Sequence, residues 1–173
     1  MIAARQSLID AAYPLFLRHG YDGTGLSQIL RDAGLSKGGF YHHFPSKLTL
    51  LAAVTEQVLP VPFGEVDWAH HATLSVAEQQ RVIRAGYGET SAGFDVMQGS
   101  VMHYFSFFFD ALAHLDDYRA SVDATYGQMI SALASAHERE GDATPKKTAR
   151  AFIAAFEGEI FLRAITASPK EIE

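Results

Sequence analysis

The residues with the most legible chemistry lie between Gly34 and Lys47. Ser36 suits a helix N-cap, which places Lys37, Gly38, Gly39 and His42 at the start of a short helix with its face turned outward. Gly38 and Gly39 carry no side chains, so the backbone there can approach a partner closely. Amide N–H groups at a helix start point toward an anion. An ammonium, bare backbone and imidazole together suit the recognition of phosphate and base edges rather than bond-making chemistry. Other chemistries fare worse. The chain has no Cys, which excludes disulfides, thiolate metal sites and Cys nucleophiles. Ser, His and Asp are all present, but no Gly-x-Ser-x-Gly elbow accompanies them, and no enzyme is expected. Asp67 and His71 stand four apart, a spacing that suits two metal ligands on one helix. A third ligand is not visible, and the adjacent His70 and His71 cannot both face one site, so neither a metal nor a cofactor is expected.

Positioning such residues takes two short helices and a tight corner. Leu26–Phe44 reads helix, glycine turn at Gly34, helix, which is the spacing of a helix-turn-helix. In that arrangement the first helix crosses the DNA backbone and the second lies in the major groove. Ile29, Ala33, Leu35, Phe40 and Phe44 form the apolar set that locks the pair together. Before it, residues 4–18 place Leu8, Ala11, Ala12, Leu15 and Phe16 on one helical face, interrupted by Pro14 and closed at His19-Gly20. After it, Ser46 caps a helix ending near Leu59, with Leu48, Leu51, Ala52 and Val54 expected inside.

The rest of the chain also reads helical. Residues 60–73 suggest a loop or an irregular short helix, with Trp68 as a lid or a core plug. Ser75 to Glu78 has capping-box spacing, and the glycines of 86–93 suggest a break. Residues 94–115 are apolar nearly all round, which predicts a helix buried on every side. Asp116-Asp117 opens the next helix, Gly141 ends it, and Thr144-Pro145 opens the last. No strand alternation appears, so the fold class is all-α.

Residues 5–55 resemble the tetracycline-repressor (TetR) family head. The resemblance runs through Ala11-Ala12, Phe16, Gly20-Tyr21, Thr24, Ile29, Ala33-Gly34, Ser36-Lys37-Gly38, Tyr41-His42-His43-Phe44 and Ser46-Lys47. It implies a homodimeric transcription regulator, usually a repressor released from operator DNA by a small molecule. It also implies phosphate contacts at Tyr41, His43 and Lys47. By the same likeness Lys37, Gly38, Gly39 and His42 approach base edges, and Ser27 and Gln28 stand at the backbone-facing start of the second helix. Three departures stand out. Gly25 replaces the usual Ser or Thr cap, Gly39 often holds a Thr, Ser or Ala, and only Arg5 remains of the basic arm before the first helix.

Composition bounds the remainder. The 173 residues are 48% apolar and 20% charged, enough to bury a sizeable core. The net charge of -6 rules out a histone-like protein that holds nucleic acid by bulk charge. Residues 1–56 carry five basic residues against four acidic ones, while 57–173 carry nine against sixteen. The expected organisation is a three-helix DNA-binding head over 1–55 and a helical effector-binding and dimerisation body over 56–173. Phe94, Met97, Gln98, Val101, His103, Tyr104, Phe105 and Phe108 are the candidate lining for a small lipophilic or aromatic effector, with core packing as the rival role. The last two helices, about 117–139 and 145–167, are expected to pair with those of a second copy as a four-helix bundle. Two heads held about 34–36 Å apart then reach successive major grooves. A small-molecule binder whose head has lost DNA affinity is the alternative. Neither a signal peptide nor a membrane span is expected, which implies a cytoplasmic protein.

Overall fold

The structure is a computed structural model that describes residues 2–59, 64–96 and 101–166, with side chains except at 2, 87–96, 101, 102 and 163–165. Among the effector candidates, Met97 and Gln98 and the side chains of Phe94 and Val101 therefore lie outside the described residues. Every regular element among the described residues is an α-helix, as the apolar spacing predicts. They run α1 (Ile2–Gly23), α2 (Leu26–Ala33), α3 (Lys37–His43), α4 (Lys47–Val58), α5 (Trp68–His71), α6 (Val76–Val96), α7 (Val101–His114), α8 (Asp116–Arg139) and α9 (Pro145–Thr166).

The chain packs as two compact units, which cut it differently from the expected 1–55 and 56–173. One comprises Met1–Pro60 with His103–Ala120, the other Val61–Met102 with Ser121–Glu173. The first unit has a core of Leu8, Ile9, Ala12, Phe16, Ile29, Phe40, Phe44, Leu50, Leu51 and Val54, and α7 adds Phe107 and Ala111 to it. Phe107 stacks on Phe16 at 6.5 Å and meets the edge of Tyr13 at 6.1 Å. Burying one such ring contributes about 1.5–3 kcal/mol, enough to hold α7 with the N-terminal helices.

Several local expectations need correction. Helix α1 runs through Pro14, and its one non-helical residue is Gly20, with φ 70° and ψ 171°. In α4 the buried residues are Leu50, Leu51, Ala53, Val54 and Thr55, whereas Leu48 is 40% exposed and Ala52 is exposed. The glycines of 86–93 do not break the backbone, because α6 is helical to Val96. Glycine inside a helix costs about 1 kcal/mol but does not forbid it. Helix α7 is not buried on every side, since Phe109 is 55% exposed and Ser106 is exposed.

In the second unit Trp68, Ile83, Met129, Ala132 and Ile153 form the core, so Trp68 is a plug rather than a lid. Gln79 is fully buried and its Nε2 donates to the carbonyls of Leu74 and Ala132, tying α6 to α8. Tyr126 donates to Glu157 at 2.6 Å and joins α8 to α9. Ser75 and Glu78 form the expected reciprocal cap.

Candidate nucleic-acid interface

The corner between α2 and α3 follows from its sequence. Gly34 takes φ 66° and ψ 29°, a left-handed conformation that glycine adopts without a Cβ clash. Its N–H donates to Arg31 O at 3.2 Å, and Leu35 N–H donates to Leu30 O at 3.0 Å. The pair closes the C-terminus of α2 as a Schellman motif. Two residues later Ser36 Oγ accepts from Gly39 N–H at 3.1 Å and starts α3. Ile29 and Phe40 are fully buried and lock the two helices, with Ala33 and Leu35 half-buried beside them.

That burial fixes which face of α3 is outward. Phe40 and Phe44 point into the core, while Lys37, Gly38, Tyr41 and His42 are exposed and Gly39 and His43 half-buried. Tyr41 is 50% exposed, with its ring edge-on to Phe40 at 5.2 Å, so the core closes without it. A Cβ built on Gly38 would meet only Ser36 Oγ, at 3.9 Å, and one on Gly39 would find nothing nearer than 3.5 Å. Internal packing therefore does not require glycine at either position. Ser27 is exposed and Gln28 half-buried in the first turn of α2, whose start at Gly25 has no side-chain cap. Arg5, expected as the remnant of a basic arm before the first helix, lies instead within α1 and over the Phe44 ring at 5.2 Å.

Lys47 is better held than its sequence position suggests. It opens α4, where a cation opposes the helix dipole. Its ammonium donates to Tyr21 O at 2.7 Å and Thr24 O at 3.0 Å and lies 4.1 Å from the Tyr21 ring centre. An ammonium has three N–H donors, so one remains for a partner such as phosphate. Ser46 and Thr49 cap the same helix reciprocally.

Of the candidate effector residues, His103, Tyr104, Phe105 and Phe108 have described side chains. Tyr104 and Phe108 stack at 6.2 Å and pack against the core of the first unit, with Tyr118 edge-on to Phe108 at 6.3 Å. Burial, then the neighbouring Tyr104, pushes the Tyr118 phenol well above its ordinary range. Phe105 stacks on the exposed Phe109 at 6.2 Å, and His103 is half-buried. A cavity of about 420 Å³ does lie in the second unit, lined by Val66, Trp68, Ala72, Gln128, Ser131 and Ser135 among others. Its lining includes none of the four candidates with described side chains, His103, Tyr104, Phe105 and Phe108. At Asp67 the side chain accepts from His70 N–H and caps α5, a structural use of a residue considered as a metal ligand.

Two residues gain importance that sequence reasoning did not give them. Asp110 Oδ2 accepts from Tyr21 N–H at 2.6 Å, and the His114 ring lies 4.5 Å from that of Tyr21. The available signal was the carboxylate of Asp110 and the imidazole of His114 within the apolar run of α7.

Comparison with known proteins agrees with this geometry. Residues 8–54 match the profile of bacterial regulatory proteins, tetR family. The HTH-type transcriptional regulator LmrA of Bacillus subtilis is 45% identical over 49 residues, 28% of this chain and 26% of LmrA. The HTH-type transcriptional regulator RutR of Escherichia coli is 39% identical over 59 residues, 34% of this chain and 28% of RutR. The matched stretch thus spans about a quarter of the length of these curated relatives. Among solved structures, AibR in complex with isovaleryl coenzyme A and operator DNA superposes with a TM-score of 0.57 at 19% identity, covering 98% of this chain and 90% of AibR. Reduced E. coli NemR gives 0.52 at 23% identity, covering 96% and 90%. At these identities the likeness is one of fold.

Proposed function

We propose that the chain, whose residues 8–54 match the tetR family of bacterial regulatory proteins, is a dimeric, ligand-responsive transcriptional repressor of that family. It acts as a regulator and not as an enzyme, in the cytoplasm. One observation carries the DNA-binding part. Helix α3 buries Phe40 and Phe44 and turns Lys37, Gly38, Tyr41 and His42 to solvent. Lys37, Gly38, Gly39 and His42 approach base edges, while Tyr41, His43 and Lys47 hold phosphates, with Ser27 and Gln28 near the backbone at the start of α2. The near-neutral head makes binding modest and strongly salt dependent.

Dimerisation through α8 and α9 is supported by apolar surface on α9, where Leu162 is 53% and Phe161 44% exposed. The effector is a small lipophilic or aromatic molecule. The fold shared with AibR, which was solved with both an acyl thioester of coenzyme A and operator DNA, supports a ligand-responsive body. Ligand releases DNA by favouring a state in which the two heads no longer match successive grooves.

A gel shift with DNA flanking the chain's own gene tests the reading. Retardation at low salt, weakened by Lys47→Ala, is expected. If no fragment is retarded at low salt, the reading is wrong. The alternative, a small-molecule binder with weak or lost DNA affinity, is favoured by the uncapped start of α2 and by Arg5 lying on Phe44. It predicts ligand binding with no retardation.

A further inference from the structure

We propose that Asp110 is a positioning residue for duplex binding, which holds the α1–α2 corner so that the Lys47 ammonium faces the DNA. The proposal rests on the duplex-binding reading above. It begins at Gly20, whose φ of 70° and ψ of 171° break α1. A break in a helix frees the next amide from its i−4 carbonyl. The freed N–H is that of Tyr21, and Asp110 Oδ2 takes it at 2.6 Å from 89 residues away. The carbonyl of the same residue accepts from Lys47 Nζ at 2.7 Å, and the Tyr21 ring lies beneath that ammonium at 4.1 Å. Tyr21 is thus held by α7 at its N–H while its carbonyl and ring hold Lys47.

Neighbouring contacts confine the same corner. Thr24 is buried, and its Oγ1 lies 2.7 Å from Gly20 O and 3.1 Å from Leu15 O. His114 packs its ring on Tyr21, its Nδ1 lies 2.9 Å from Asp110 O, and its Nε2 lies 3.4 Å from Asp22 Oδ2. A Cβ on Gly20 would come within 3.1 Å of Asp110 Oδ2, so the carboxylate occupies the space that the missing side chain leaves. Charge alone gives the opposite expectation. Deleting a carboxylate near a phosphate-binding site should tighten DNA binding, whereas loss of positioning should weaken it. The sign of the effect therefore discriminates between the two.

The test uses the full chain, with amide hydrogen exchange in the absence of DNA and anisotropy titrations on a mixed-sequence 30-bp duplex over a salt series. In the unaltered protein the Tyr21 amide should exchange slowly although Gly20 interrupts its helix. Asp110→Ala should speed that exchange and weaken duplex binding toward the level of Lys47→Ala. One lost phosphate contact lowers the salt slope by about 0.9, which is about eightfold in affinity at ~0.1 M salt. The Asp110→Ala/Lys47→Ala double variant should bind no more weakly than Lys47→Ala alone. Asp110→Asn keeps an acceptor oxygen and should preserve both slow exchange and affinity. Fast Tyr21 exchange in the unaltered chain overturns the proposal without recourse to any variant. So does Asp110→Ala binding as tightly as the unaltered chain, or a double variant whose losses multiply. If the unaltered chain binds no duplex at low salt, the functional reading itself falls and takes this inference with it.

Discussion

Adding one methyl group at two glycines should move stability in opposite directions. Gly20 sits at φ 70° and ψ 171°, in a region reserved almost entirely for glycine, and its Cβ would lie 3.1 Å from Asp110 Oδ2. Forcing alanine into such a conformation costs about 1–3 kcal/mol. The reduced freedom of the unfolded chain offsets about 0.4–1 kcal/mol of that. Gly20→Ala should therefore destabilise by about 1–2 kcal/mol net. Gly38 lies in helical backbone, and a Cβ there meets nothing nearer than 3.9 Å. Gly38→Ala should stabilise by about 0.5 kcal/mol, because alanine loses less backbone entropy in a helix. The variants then differ by about 2 kcal/mol, or about 4–8 °C in Tm for a chain of this size. Thermal melts followed by circular dichroism, together with urea midpoints, measure the difference. If Gly20→Ala melts at or above the unaltered protein, or the two variants melt together, the account of the Gly20 break is refuted.

The same Gly38→Ala variant should lose duplex affinity while gaining stability, because its methyl occupies the face turned to the groove. Paired melting and anisotropy measurements check this, and a parallel change in both contradicts it. Tyr41→Ala should alter stability by less than about 0.5 kcal/mol, since the ring is half exposed, yet weaken duplex binding. Phe40→Ala, one residue away, should cost about 3–5 kcal/mol and unfold the head. Ser36→Ala removes the cap on Gly39 N–H and should cost about 1 kcal/mol in urea denaturation. The Tyr118 phenol is raised by burial, so the folded chain keeps a proton that the unfolded chain releases above its ordinary value of 10.0. Stability should therefore fall as pH climbs past that value, and Tyr118→Phe should flatten the decline in urea midpoints measured between about pH 9 and 11.

The recognition corner was legible in the sequence because its determinants are local. Ser36 caps α3 through the amide three residues on, Gly34 supplies one left-handed residue, and Ile29, Phe40 and Phe44 declare their burial by spacing. Local hydrogen bonds and helical periodicity act over a few residues, so a linear reading finds them. Propensity alone misread α6, where glycines at 86, 88 and 93 lie in continuous helix. It also misjudges α7, whose apolar run predicts a helix buried on every side. Phe107 and Ala111 join the core of the N-terminal helices, whereas Phe109 is left exposed. Lys47 was visible as a phosphate-binding candidate, but not the carbonyls of Tyr21 and Thr24 that hold its ammonium. Helical class, caps and the outward face of α3 were thus determined by sequence. The assignment of α7 and the union of Asp110, Tyr21 and Lys47 were decided by tertiary structure, because those contacts join residues far apart in the chain and only packing brings them within hydrogen-bonding distance.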